Sequence, residues 1–134
     1  MIYIDSCALL KFVKREKETD SLQEWREQLS QRTELVTSEL AKLEISRTLF
    51  RSGIEIQRIP YIVGQALRGV YLLDLTSAVL SRARSYQLRA LGSLDAIHLA
   101  SAEPFRGELT EFITYDTELA TAANQLGLDV YAPS

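Results

Sequence analysis

Short apolar runs alternate with longer amphipathic stretches along the whole chain, and this pattern limits the folds open to it. Ile2-Tyr3-Ile4, Leu35-Val36-Thr37 and Val70-Tyr71-Leu72-Leu73 have the length and character of buried strands. A fourth strand is predicted within Glu108 to Thr114, ending in Phe112-Ile113, and a short fifth at Val130-Tyr131. The segments between them carry helical spacing. Asp5-Ser6 opens a helix through Val13, and Asp20 with Gln23 has the form of a capping box before Leu22, Trp25 and Leu29. Ser38 caps a helix that Gly53 ends, and Pro60 opens another. Thr76 or Ser77 begins a helix running through Tyr86 and Leu88, Ser93 caps one stopped by Pro104, and Asp116 opens the last, ended by Gly127. Such alternation predicts an α/β fold in three layers, with a four- to five-stranded parallel sheet flanked by helices. The length of 134 residues suits a single domain, 1–134.

Composition removes several function classes. The apolar share of 46% and charged share of 25% are those of a folded globular chain. No stretch approaches the ~20 apolar residues of a membrane-spanning helix. Met1-Ile2-Tyr3-Ile4-Asp5 lacks the basic stretch of a signal peptide, so a cytoplasmic location is expected. One cysteine excludes an internal disulfide and a Cys-rich zinc site, and one histidine excludes a two-His metal site. A Ser/His/Asp hydrolase would depend wholly on His98, and no G-x-S-x-G elbow is present.

In an open parallel sheet, ligands sit beyond the carboxyl ends of the strands. Asp5 follows the first strand and Asp116 lies just past the fourth. Asp95 falls in the first turn of one helix, and Glu44 lies about a turn and a half into another. Taken singly, the three Asp residues also read as helix caps, and Glu44 as a solvated position. Together they make a set. Asp5 and Asp95 have apolar neighbours, and buried carboxylates are costly unless paired or metal-bound. No Lys or Arg stands beside them outside charge runs. Gathered carboxylates raise one another's pKa, and a divalent cation relieves both costs. Hard oxygen donors suit Mg²⁺ or Mn²⁺, which can activate water and stabilise charge on a phosphoryl group.

These residues carry a resemblance. Tyr3-Ile4-Asp5-Ser6 with Ala8-Leu9-Leu10-Lys11, then Val36-Thr37-Ser38 with Leu43-Glu44-Ile45-Ser46-Arg47, form the first half of it. Leu91-Gly92-Ser93-Leu94-Asp95-Ala96-Ile97-His98-Leu99-Ala100 and Phe112-Ile113-Thr114-Tyr115-Asp116 complete it. The chain resembles PIN-domain ribonucleases, specifically the VapC-type toxins of bacterial toxin–antitoxin pairs. The resemblance implies a five-stranded parallel sheet and a Mg²⁺- or Mn²⁺-dependent endoribonuclease that hydrolyses RNA with metal-activated water. It implies that Asp5, Glu44, Asp95 and Asp116 are the catalytic and metal-binding acids, with Ser6 and Thr114 in support. It also implies a homodimer and a VapB-type antitoxin partner. Cys7 stands where a small polar residue is common in the family, and a Cys there is expected to be buried.

Other residues have two readings each. His98 shares a helix face with Asp95 and reads either as catalytic or as a core or interface histidine. Arg47 and Arg51 share a stripe with Glu44, so they read as RNA-backbone contacts or as a solvated face; Arg82 and Arg89 repeat the choice on a later helix. Trp25 reads as packing or as part of a partner groove. Two other functions stand beside the nuclease: a non-catalytic PIN-fold binding module, and a receiver-like phospho-accepting domain. The latter needs an acidic pair after strand one and a lysine after the last strand. Here Ser6-Cys7 follows Asp5, and Lys42 is the last lysine.

The net charge of −3 suggests no affinity for nucleic acid by itself. Setting the four candidate acids aside as a metal pocket leaves 14 acidic against 15 basic residues, a surface that does not strongly repel RNA.

Overall fold

A computed structural model describes all residues, Met1–Ser134. Five strands, β1 (Ile2–Ile4), β2 (Leu35–Ser38), β3 (Val70–Leu73), β4 (Glu111–Ile113) and β5 (Val130–Tyr131), form one sheet in the order β3-β2-β1-β4-β5. Every pairing is parallel. The α-helices are α1 (Ser6–Leu10), α2 (Thr19–Glu27), α3 (Leu40–Arg51), α4 (Ile59–Ala66), α5 (Ser77–Ser85), α6 (Ser93–Ala102) and α7 (Thr117–Gln125). The predicted three-layer α/β architecture is therefore present, with the full five strands.

The strands' alternation of side chains builds two cores. Ile2, Ile4, Leu35 and Ile113 face one side, where they meet Leu9 of α1, Leu22 of α2, Ala41, Ile45 and Leu49 of α3, and Val63 of α4. Tyr3, Val36 and Phe112 face the other, against Leu99 and Ala102 of α6 and Leu119, Ala122 and Ala123 of α7. Trp25 and Leu29 pack against the first core, which settles the packing reading of that stripe. A residue on α3 and a residue on α6 thus approach the same sheet edge from opposite layers.

Several element ends differ from expectation for identifiable reasons. The first helix stops at Leu10 and gives way to a turn. The capping box at Asp20 is not made. The hydroxyl of Thr19 instead donates to the Lys11 carbonyl at 3.0 Å and accepts the Glu16 N–H at 2.9 Å, which starts α2 at Thr19. Asp20 then turns outward to pair with Arg15. Lys11, only 8% exposed, donates to Glu16 and Glu18 and lies over the Tyr115 ring, closing the loop between α1 and α2 against the end of the sheet. Ser38 lies one residue further from α3 than a cap, yet its Oγ accepts the Leu40 N–H at 3.1 Å. The fifth helix ends at Ser85 rather than reaching Leu88, because Tyr86 turns to extended backbone and its hydroxyl donates to Glu103 at 2.7 Å. Ser93 is the first helical residue of α6 and Gly92 holds the cap position, with no side-chain cap bond. Pro60 does open α4, and Gly53 and Gly127 end their helices at φ +96° and +82°, conformations that cost other residues a Cβ clash.

Phe112 is fully buried, and its ring stacks on that of Tyr3 with centroids 5.0 Å apart. Phe112→Ala is expected to cost ~3–5 kcal/mol of stability, read as a lower urea midpoint with an unchanged slope.

Candidate active site

The chain builds β1, β2 and β3 outward in one direction, then returns to place β4 on the other side of β1. The switch in strand order therefore lies between β1 and β4, the place where an open parallel sheet leaves a crevice. Asp5 and Asp116 follow these two strands. Thr114 joins them: its Oγ1 donates to Asp5 Oδ2 at 2.5 Å and accepts the Asp116 N–H at 3.1 Å. Each aspartate also caps a helix, Asp5 Oδ1 accepting from the Ala8 N–H and Asp116 Oδ1 from the Leu119 N–H, both at 2.8 Å. Capping and site membership are thus compatible, because each cap uses one oxygen.

The remaining two acids come from opposite layers. Oε1 of Glu44 on α3 lies 2.6 Å from Nε2 of His98 on α6, within hydrogen-bond distance. Asp95, one turn before His98, makes no side-chain hydrogen bond and is not part of the α6 cap. Neither Lys nor Arg forms an ion pair with any of the four acids; His98 is the sole cationic-type partner, to Glu44. The carboxylates feel one another. Asp95 is pushed up to about 6, first by burial and then by the Asp116 carboxylate. Asp5 is also raised, by burial, against the lowering effect of Thr114 and the Ala8 N–H. The Cys7 thiol is pushed up to about 12 by desolvation and then by all four acids. Cys7 itself is exposed, contrary to expectation, because α1 turns it outward over the acids.

The donor set bears on the implied metal. Glu44 Oε2, Asp116 Oδ2 and both Asp95 oxygens make no hydrogen bond. All are hard carboxylate oxygens, and their mutual repulsion is what a divalent cation offsets. No three of these side chains converge into a closed cage. Mg²⁺ retains several waters and takes one or two carboxylates directly, so the open arrangement fits that ion better than a cage-seeking one.

Comparison with known proteins now decides the family. Residues 2–125 match the PIN domain. The chain belongs to the PIN-domain family. It is 37% identical over 136 residues to "Ribonuclease VapC47" of Mycobacterium tuberculosis strain CDC 1551 / Oshkosh, covering 99% of this chain and 97% of that one. It is 38% identical over 138 residues to "Ribonuclease VapC35" of the same organism, with the same coverage. Among solved structures, VapBC2 from Rickettsia felis, crystallised with a DNA fragment from its promoter, superposes with a TM-score of 0.72 over 100% of both chains at 14% identity, a likeness of fold.

Within this PIN domain the other expected residues divide. Ser6 is buried and, with Cys7, Glu44 and Thr48, lines a small cavity of about 80 Å³ between α1 and α3. Arg47 turns toward α4, its guanidinium over the Phe50 ring at 5.6 Å, and makes no ion pair with Glu44. Arg51, in the last turn of α3, is exposed and unpaired. Arg82 is occupied by the Ala100 carbonyl and Glu103, so its salt-bridged reading holds. Arg89 borders a cavity of about 360 Å³ with Thr117 and Glu118, beside the helix start that Asp116 caps. His98 is core, at 1% exposure, and is also bonded to a site acid. Tyr3, a residue of β1, also joins this network, its hydroxyl lying 2.7 Å from His98 Nδ1. The signal for His98 was its place three residues after Asp95; Tyr3 gave none.

Two outcomes follow. Thr114→Val keeps the shape but leaves Asp5 Oδ2 buried without a donor, an expected cost of ~1–3 kcal/mol in chemical denaturation, which Thr114→Ser avoids. Asp95, with a folded pKa near 6 above an unfolded value of ~3.9, binds its proton more tightly in the folded state. Its contribution to stability is full below the unfolded value and is lost as pH rises to about 6. Metal-free protein should lose melting temperature across that window, and Asp95→Asn should flatten the slope and melt a few degrees higher at neutral pH.

Proposed function

We propose that this PIN domain is a Mg²⁺- or Mn²⁺-dependent endoribonuclease, the toxin of a type II toxin–antitoxin pair. The observation that carries the reading is the coincidence of two facts. The curated relatives over nearly the whole chain are named VapC ribonucleases, and the four acids gather at the crevice of the sheet. When bound, the ion would supply Lewis-acid activation of water and neutralise charge on the phosphodiester.

The chain's own residues divide the remaining work. Asp95 and Asp116 offer free oxygens for direct or water-mediated coordination, and Glu44 offers Oε2. Asp5, held at one oxygen by Thr114 and at the other by the Ala8 N–H, is the fixed member against which the others are placed, and each of its oxygens keeps a lone pair for the ion. Ser6, buried beside Glu44, supports the same wall. Arg51 and Arg89 make no ion pair, and their guanidinium groups suit bidentate phosphate contact; Arg47, over Phe50, contributes more weakly.

The partners are proposed on the same footing. Phe50, Ile56 and Tyr61 are exposed around the cleft between α3 and α4, and a VapB-type antitoxin would cover them. Tyr71 on β3, Leu75 just after it and Leu80 on α5 are also exposed, and exposed apolar residues of this kind suit a homodimer contact. No helix is long and apolar enough to cross a membrane, and a toxin acting on cellular RNA would work in the cytoplasm.

Asp95→Asn is the cleanest test, because Asp95 makes no hydrogen bond to lose. The variant should fold and lose at least ~100-fold in RNA cleavage, beyond the ~10–100-fold typical of residues that act through a metal ligand. Asp5→Asn should likewise abolish cleavage, and EDTA should silence the wild type. Millimolar Mn²⁺ should raise the melting temperature, since it binds the folded state alone. Full cleavage in EDTA would sink the metal-dependent reading. A wild type that binds Mn²⁺ yet cleaves no RNA would favour the non-catalytic binding module.

A further inference from the structure

We propose that Tyr3 and His98 are positioning residues that fix the orientation of the Glu44 carboxylate and so leave its second oxygen aimed at the metal site. The inference rests on the reading of Glu44 as a metal-binding acid, and it goes beyond that reading by assigning two residues outside the acidic set.

The chain of bonds has a direction. The Ser38 backbone N–H donates to the Tyr3 hydroxyl at 3.0 Å, which occupies that oxygen as an acceptor. Tyr3 has one proton to give, and its oxygen lies 2.7 Å from His98 Nδ1. Burial pushes the Tyr3 phenol far up, so the proton stays on it. Thr37, the other polar neighbour, is left as the buried side-chain oxygen without a partner. With Nδ1 accepting, the neutral imidazole carries its proton on Nε2, and Nε2 donates to Glu44 Oε1 at 2.6 Å. Oε1 is thereby committed and Oε2 is free.

The relay is rigid by packing. Tyr3 and His98 are 0% and 1% exposed, and Glu44 is 18% exposed at its side chain. The Tyr3 ring stacks on Phe112 at an interplanar angle of 4° and meets the His98 ring edge-on at 5.9 Å. One end is anchored on the backbone at the end of β2, and the other reaches a residue of the opposite helical layer. Glu44 sits on a helix surface with several rotamers open to it, and a single donor from a buried ring selects among them. Donors that orient a metal ligand in this way typically tune metal affinity by ~10–100-fold.

His98 is the chain's one histidine, so its ring nitrogens can be observed alone. In metal-free protein at pH 8, ¹⁵N–¹H correlation of the imidazole should show the Nε2–H tautomer. Glu44→Gln and Tyr3→Phe should each shift the balance toward a mixture. Nδ1–H in the wild type would overturn the relay, whatever the metal does. The second measurement is a Mn²⁺ titration followed by calorimetry. His98→Leu should weaken binding by ~10–100-fold, and His98→Gln, which keeps a donor near Glu44, should restore much of it. Tyr3→Phe should weaken binding a few-fold. Adding His98→Leu to Glu44→Gln should cost nothing further, because the two act as one unit. Independent, additive losses would assign His98 a packing role and overturn the proposal. Wild type that binds no Mn²⁺ would instead overturn the metal reading of Glu44, with the tautomer deciding the relay separately.

Discussion

A buried carboxylate at the end of the central strand is the constraint around which the rest of this PIN domain is arranged. Asp5 is 2% exposed and carries no cationic partner. Its desolvation is countered in part by two features that the fold must supply at once: the Ala8 N–H at a helix start and the Thr114 hydroxyl from the end of the neighbouring strand. Thr114 can reach only because β4 pairs with β1 in parallel register, Ile4 beside Ile113. The same hydroxyl then receives the Asp116 N–H, so the second acid is placed by the bond that satisfies the first.

The sheet contributes more than a support. Successive residues of β1 point to opposite faces, so Ile2 and Ile4 enter one core while Tyr3 enters the other. That alternation puts the Tyr3 hydroxyl in the α6 layer, level with His98, while Asp5 continues straight off the strand end. Glu44 arrives from the α3 layer. The site is therefore a seam between two helical layers, closed by one hydrogen bond from His98 to Glu44. Loosening either layer is expected to act on the acids before it acts on the fold.

Charge placement explains why a chain of net charge −3 can serve an anionic substrate. Desolvation first, and then repulsion among the acids, pushes Asp95 up to about 6 and the Cys7 thiol up to about 12. A divalent cation at such a cluster would relieve that repulsion, and the remaining 14 acidic and 15 basic residues are nearly balanced. Gathering like charges in one place is a common arrangement at functional sites.

Much of this was legible in the residues. Strand and helix alternation follows from apolar periodicity, so the parallel sheet, the positions of Gly53 and Gly127, and the acids' places after β1 and β4 could be read directly. Local competition defeated the pattern at Asp20, where Thr19 bonded to Lys11 and Glu16 instead, and at Tyr86, drawn out of its helix by Glu103. The sequence by itself determined which residue types are available and which strand ends carry carboxylates, because both depend on short-range periodicity. Tertiary structure alone decided that Tyr3, His98 and Glu44, separated by 95 and 54 positions along the links between them, form one chain of bonds. It also decided that Arg47 faces Phe50 rather than the acids. Such pairings depend on the strand order and on how two helical layers meet over it, and no local spacing encodes either.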